Sequence, residues 1–216
     1  TYTVRRNNIE VTASHRFCNA APVTIAIYYG MQSMFEGETH VLTPGGAYTD
    51  WTEVAKASTF TKQEHPLFRR YVEKNRQGYQ STWLLPDGLG DHALLDGQDD
   101  IFIYAPYGQS YHKLIGNKRM ENGDKTCWRG VYTWFETPIA DDADLLCYEG
   151  SVGGHTAVFI DCKRACKRTL ALPGYLDLRH FGTAEQNSGI RISAAGRNKL
   201  KIKAGAPGSC VLLLRE

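Results

Sequence analysis

The chain has no long apolar run. Nothing in its 216 residues approaches the roughly 20 consecutive apolar positions that a helix needs to cross a bilayer, which excludes a transmembrane helix. The longest apolar stretches, residues 157–160 and 211–214, have the length of buried strands. Charge bias is missing too: 25 Lys and Arg against 23 Asp and Glu leave a formal net charge of +2, which argues neither for nor against a polyanionic partner. The sequence holds no Gly-x4-Gly-Lys-Ser/Thr loop and no Gly-x-Gly-x-x-Gly after a strand, so nucleotide binding by either device is excluded. It has no calcium loop of EF-hand spacing and no Asn-x-Ser/Thr acceptor, so N-glycosylation is not expected. No repeat of fixed period and no low-complexity linker divides it, which points to one domain over residues 1–216, with a basic C-terminal lobe at 163–216 as the alternative.

Hydrophobic residues at 42% and charged residues at 22% are the balance of a globular chain rather than a disordered one. Tyr (12) and Gly (21) are plentiful while strong helix formers are sparse, which leans towards strands and turns. Short strands are predicted at residues 9–13, 23–29, 80–85, 94–96, 101–105, 131–136, 145–148, 155–161, 190–193, 199–203 and 210–214. In the second, Val23, Ile25 and Ile27 point one way and Thr24, Ala26 and Tyr28 the other. Pro44-Gly45-Gly46 and Pro86-Asp87-Gly88 mark turns, and Gly150-Ser-Val-Gly-Gly154 reads as a third. Asn122-Gly123 between two strand-like segments predicts a two-residue type I′ hairpin. One helix is expected at residues 65–77, where Leu67, Arg70, Tyr71 and Lys74 share a face and Gly78 stands as a stop. The fold class is therefore mainly β, an antiparallel sandwich or open barrel with one short peripheral helix.

Six cysteines, Cys18, Cys127, Cys147, Cys162, Cys166 and Cys210, fit up to three disulfides, and 15 full pairings are open. Disulfides imply a secreted or cell-surface location. The chain opens at Thr1 rather than Met, in a polar strand-like segment, as a mature protein does after its leader is removed.

Site chemistry is thin. Cys162-Lys-Arg-Ala-Cys166 has the spacing of half a zinc site, but the nearest imidazole is His155 and no second couplet follows, so disulfides account better for both cysteines. Cys147, His155 and Asp161 carry the groups of a nucleophilic set without its signature, and Gly108-Gln-Ser-Tyr-His112 fails as a nucleophile elbow at its last position. Asp99-Asp100, Asp141-Asp142 and Asp144 read as solvated turns rather than a glycosidase pair. No catalytic residue, metal or cofactor is assigned.

One pattern has polarity. Arg197, Lys199, Lys201 and Lys203 alternate with Leu200 and Ile202, giving a strand a basic outer face over an apolar inner one, and Arg191 extends it if the neighbouring strand pairs there. Such a stripe either meets an anionic surface or guards a sheet edge with lysines. Trp51, Trp83, Trp128 and Trp134 would supply interface hot spots if exposed; core packing accounts for them equally well, and Trp128 and Trp134 read as core.

Phe17-Cys18-Asn19, the strand at 23–29, Pro44-Gly45, Ile103-Tyr104-Ala105, Trp128-Arg129-Gly130, and Cys147 with a strand ending at Asp161 together resemble a bacterial family called domain of unknown function 1036. The resemblance spans roughly residues 9–162. It departs where Met34-Phe35-Glu36-Gly37 replaces a tryptophan-rich stretch, in an insertion at 52–97, and in a tail from Lys163 without counterpart. It implies a secreted β-rich protein and carries over no catalytic residue.

The expectation is a secreted or cell-surface non-catalytic protein that binds a protein or glycan partner or assembles with copies of itself. The rival is a secreted hydrolase or toxin using His112, His155 or His180 with distant carboxylates. Nucleic-acid binding inside the cell, which calls for free thiols, is the least expected.

Overall fold

The structure, a computed structural model, describes residues 1–34, 37–46, 48–54, 60–61, 70–85, 99–104, 109–186 and 189–214. Every strand pair among them is antiparallel. A central sheet of seven strands runs β1 (Tyr2–Arg5), β2 (Asn8–Arg16), β11 (Lys125–Phe135), β8 (Gly78–Leu84), β7 (Arg70–Asn75), β4 (His40–Leu42), β5 (Thr52–Glu53). On one side lies a four-stranded sheet ordered β3 (Val23–Met34), β10 (Gln109–Met120), β9 (Asp99–Tyr104), β6 (Phe60–Thr61). On the other lies a five-stranded sheet ordered β12 (Ala140–Asp141), β13 (Leu145–Val152), β14 (His155–Cys162), β19 (Gly208–Leu214), β16 (Phe181–Gln186). Beyond it sits a three-stranded sheet ordered β15 (Cys166–Ala171), β18 (Lys199–Ala204), β17 (Ile190–Ala194). The class is mainly β, sandwich-like, with no closed barrel. Among the described residues no helix is long and apolar enough to cross a membrane.

Three apolar layers hold the sheets together. Val11, Leu84 and Trp128 of the central sheet meet Met31 and Leu114 of the four-stranded one. Val72, Trp83 and Val131 meet Tyr148, Phe159 and Val211 of the five-stranded sheet. The opposite face of that sheet, with Leu145, Ile160 and Leu212, packs on Ile190, Leu200 and Ile202. Period-two geometry sends Phe159 and Ile160, or Val211 and Leu212, to opposite faces, and both faces are dry. That is why residues 157–160 and 211–214 are apolar throughout instead of alternating. Gly130 leaves room for Met31 where β3 crosses the central sheet: a Cβ there would lie 2.0 Å from Met31 Sδ, so that flexible side chain would have to shift.

Three expectations need correction. Residues 70–75 of the predicted helix form β7, and Gly78 opens β8 at φ +129°. Arg70 and Val72 face the five-stranded sheet while Tyr71 and Glu73 face the four-stranded one, so burial on both sides overrides the helical spacing. The earlier part of that helix, the turn at 86–88 and the strand at 94–96 lie outside the described residues. Asn122-Gly123 does turn the chain, but β10 and β11 separate into different sheets, so no hairpin forms. Only Gly123 takes positive φ there (+92°), and its N–H donates to Phe17 O at 2.8 Å. Trp134, read as core, is 39% exposed because it lies beyond the point where Gln32, bonded by Tyr132 Oη, still covers β11. Trp128 and Trp83 are buried. The Pro44-Gly45 turn is as expected, with Gly45 at φ +70° and Gly46 N–H on Thr43 O.

Candidate anion-binding face

The chain leaves β14 at Cys162 and enters β15 at Cys166, crossing from the five-stranded to the three-stranded sheet. Leu200, Ile202 and Ala204 turn inward, so Lys199, Lys201 and Lys203 turn outward, and all three are exposed. Register brings Lys167 of β15 and Arg191 of β17 to either side of Lys203, making a row of three cations across three adjacent strands. Thr169 and Ser193 flank Lys201 in the next row. A groove of about 720 Å³ lies over this face, walled by Lys167, Thr169, Arg191, Ser193, Lys201 and Lys203.

Among the described residues no carboxylate lies within ion-pair distance of Lys167, Arg191, Lys199, Lys201 or Lys203. Like charges directly opposite in a sheet repel, and this row has three. The lysines do not guard an edge, since β18 is the middle strand of its sheet. Arg197 is not part of the face: it sits in the turn before β18, and its Nε donates to Asp177 at 3.2 Å beside Arg179. Lys167 escaped the sequence reading because residues 163–168 look like one undivided basic loop.

Acidic residues anchor the rim instead. Arg168 bonds Asp142 at 2.9 Å and Asp144 at 2.7 Å, and Arg164 bonds Asp144 at 2.7 Å. Asp141, expected in solvent, is a half-buried hub that accepts from Lys163 at 2.8 Å, Trp51 Nε1 at 3.0 Å and Tyr79 Oη at 3.0 Å. Burial raises its carboxyl, and the bonds from Lys163 and Trp51 outweigh that and hold it below its ordinary value.

The cysteines sort into two groups. Cys147, Cys162 and Cys210 share the face of the five-stranded sheet that packs on the three-stranded one, and Cys166 joins them from β15. Cys162 and Cys166 place their thiols side by side, and burial pushes the Cys147 and Cys162 thiols up. Cys127, in β11, is half-buried, Cys18, just past β2, is exposed, and no disulfide joins any of the six in this structure. Among the described residues no group of three or more His, Cys, Asp or Glu converges as a metal site would.

The groups of the rival hydrolase are scattered or sealed. His155 and His180 are exposed on separate elements. Cys147 and Asp161 face opposite sides of the five-stranded sheet. His112 packs on Tyr71 at 5.4 Å, near Glu73, whose carboxylate accepts from Ser33 at 2.6 Å and Ser110 at 2.8 Å. These side chains lie between sheets at 0–4% exposure, out of a substrate's reach. Burial pushes Glu73 up to about 7.

No family model matches the chain, and no curated protein or solved structure matches it.

Proposed function

We propose that this is a non-catalytic binding module, working outside the cytosol, that holds an acidic polysaccharide on the cationic face of its three-stranded sheet. The observation that carries this reading is the row Lys167–Lys203–Arg191, with Lys199 and Lys201 behind it and, among the described residues, no acid paired with them. A polyanion relieves the repulsion stored in that row and displaces only mobile counterions. The groove favours a chain over a flat lipid surface. Among the described residues its walls carry no aromatic ring on which a base would stack, which favours a polysaccharide over single-stranded nucleic acid. An extracellular setting is supported by the Cys162–Cys166 contact, which oxidation would close into a disulfide at the crossing between two sheets.

The test is titration of the purified chain with polygalacturonate, heparin, single-stranded DNA and anionic vesicles at low salt. We expect binding to at least one acidic polysaccharide, lost in Lys167→Glu/Lys203→Glu and kept in Arg197→Ala. Binding to neither polysaccharide, tighter binding to DNA or vesicles, or binding indifferent to the double substitution would overturn the reading.

Self-association is a second reading, favoured by β3. This twelve-residue strand ends its sheet and carries no charge from Val23 to Met34, with Ile27 and Tyr29 exposed. Unguarded edges of that kind pair with further strands. Ile27→Lys would then shift a dimer to monomer in size-exclusion chromatography, and a wild-type chain that is monomeric at high concentration ends that reading.

A further inference from the structure

The open end of the sandwich between the central and four-stranded sheets holds a second cleft, of about 730 Å³. Its walls come from the β7–β8 hairpin, the end of β11 and Met34 at the end of β3. The ring of Trp134 is set into this wall. Trp134 lines the cleft, and Tyr132, which stacks against its indole at 5.7 Å and 19°, does not. The ring is held in place: Nε1 donates to Gln80 Oε1 at 3.1 Å, and Asn7 Nδ2 donates to the Trp134 carbonyl at 2.8 Å.

We propose that this cleft binds a neutral sugar ring, with Trp134 as its stacking platform. The axial C–H faces of a pyranose are apolar and lie flat on an indole, while its equatorial hydroxyls need groups that both donate and accept. Amides do both, and Asn7, Asn75, Gln77 and Gln80 line the cleft. The Gln77 side chain has no protein partner among the described residues, and Asn75 uses only its Oδ1, on the Gln77 N–H. Cleft charge does not suit an anionic ligand, since the exposed carboxylate of Glu136 stands in the lining. Lys74 is engaged by Asp141 at 3.3 Å and by the Trp51 ring at 4.2 Å, and Glu73 is buried behind its serine partners. β7, β8 and β11 offer an added peptide strand no free edge, since each is paired on both sides. A fixed ring loses little freedom on binding, which is the pre-organisation that a weakly held ligand needs.

This site is separate from the cationic face and does not depend on it. The full chain is titrated with cellohexaose, laminarihexaose, mannohexaose and chitohexaose to roughly 10 mM, the range of weak ligands, with tryptophan fluorescence and calorimetry as readouts. At least one should bind saturably and change the emission. Trp134→Ala should weaken that binding by about tenfold or more, Trp134→Phe by less because a ring remains, and Gln77→Ala by an intermediate factor. Circular dichroism melts check that each variant is folded, and Lys167→Glu/Lys203→Glu should bind the same sugar as wild type. The proposal is overturned if none of the four sugars binds, if folded Trp134→Ala and Trp134→Phe both bind like wild type, or if a Leu-Ser repeat octapeptide occupies the cleft more tightly than any sugar.

Discussion

Arg70 and Asp161 form a fully buried, bidentate ion pair that joins the central sheet to the five-stranded sheet. Arg70 Nη1 reaches Asp161 Oδ2 at 2.7 Å and also donates to Tyr148 Oη at 2.7 Å, while Nη2 bonds the other carboxylate oxygen. The Tyr148 hydroxyl in turn donates to Ser81 Oγ at 2.7 Å. Burial raises the Asp161 carboxyl and Arg70 opposes that shift.

Removing one member leaves the other charged, dry and unpaired. Arg70→Ala should cost about 3–5 kcal/mol in urea unfolding, and Arg70→Met paired with Asp161→Leu should recover most of the loss. Equal destabilisation by the single and double variants would show that packing around the pair, not charge, sets its worth.

Glu73 gives stability a pH dependence of unusual sign. Its carboxyl moves from 4.5 when unfolded to about 7 when folded, because burial disfavours the charge. The folded state is therefore unpenalised below pH 4.5 and loses stability as pH climbs through 7, by roughly 3 kcal/mol in all. Asp141 and Asp177, held below their ordinary values, act oppositely and at lower pH. In thermal melts the gap between Glu73→Gln and wild type should widen in the variant's favour from pH 5 to pH 8. A constant gap would contradict this.

The cationic face makes a quantitative claim on salt. The slope of log affinity for a polyanion against log salt should fall by about 1 for each of Lys167, Lys201 and Lys203 replaced by Ala, and stay unchanged for Arg197→Ala, whose guanidinium lies off the face and bonds Asp177. The measurement is a binding series from low to physiological salt.

Cysteine reactivity should follow burial. Maleimide should label exposed Cys18 first and reach Cys147 and Cys210 only on unfolding. A disulfide-forming oxidant such as diamide should link Cys162 to Cys166 with loss of two hydrogens, which non-reducing peptide mapping would locate. Linkage of Cys18 to Cys127 instead would contradict the arrangement of strands that keeps them apart.

The class, the turn at Pro44-Gly45 and the amphipathic pattern of residues 199–203 were legible because each is local: a proline before a glycine, or alternation along one strand. What was hidden depends on partners. Residues 70–75 carry helical spacing, and only two opposing sheets make them a strand. Lys167 and Arg191 belong with Lys203 by cross-strand register, which no spacing in the sequence encodes. Arg197 followed the alternation and was still misplaced, because a turn ends the strand before it. Trp134 looked like core, and its exposure depends on where β3 stops.

The central sheet has a kinetic corollary. Asn8 donates to Thr133 at 2.8 Å from 125 positions away, and β2 zips along β11 over nine residue pairs. The strand made early must wait for one made late, and closing so large a loop comes before any contact repays it. Refolding should take milliseconds to seconds rather than microseconds, and throughout that interval β2 stands as an open template for other chains.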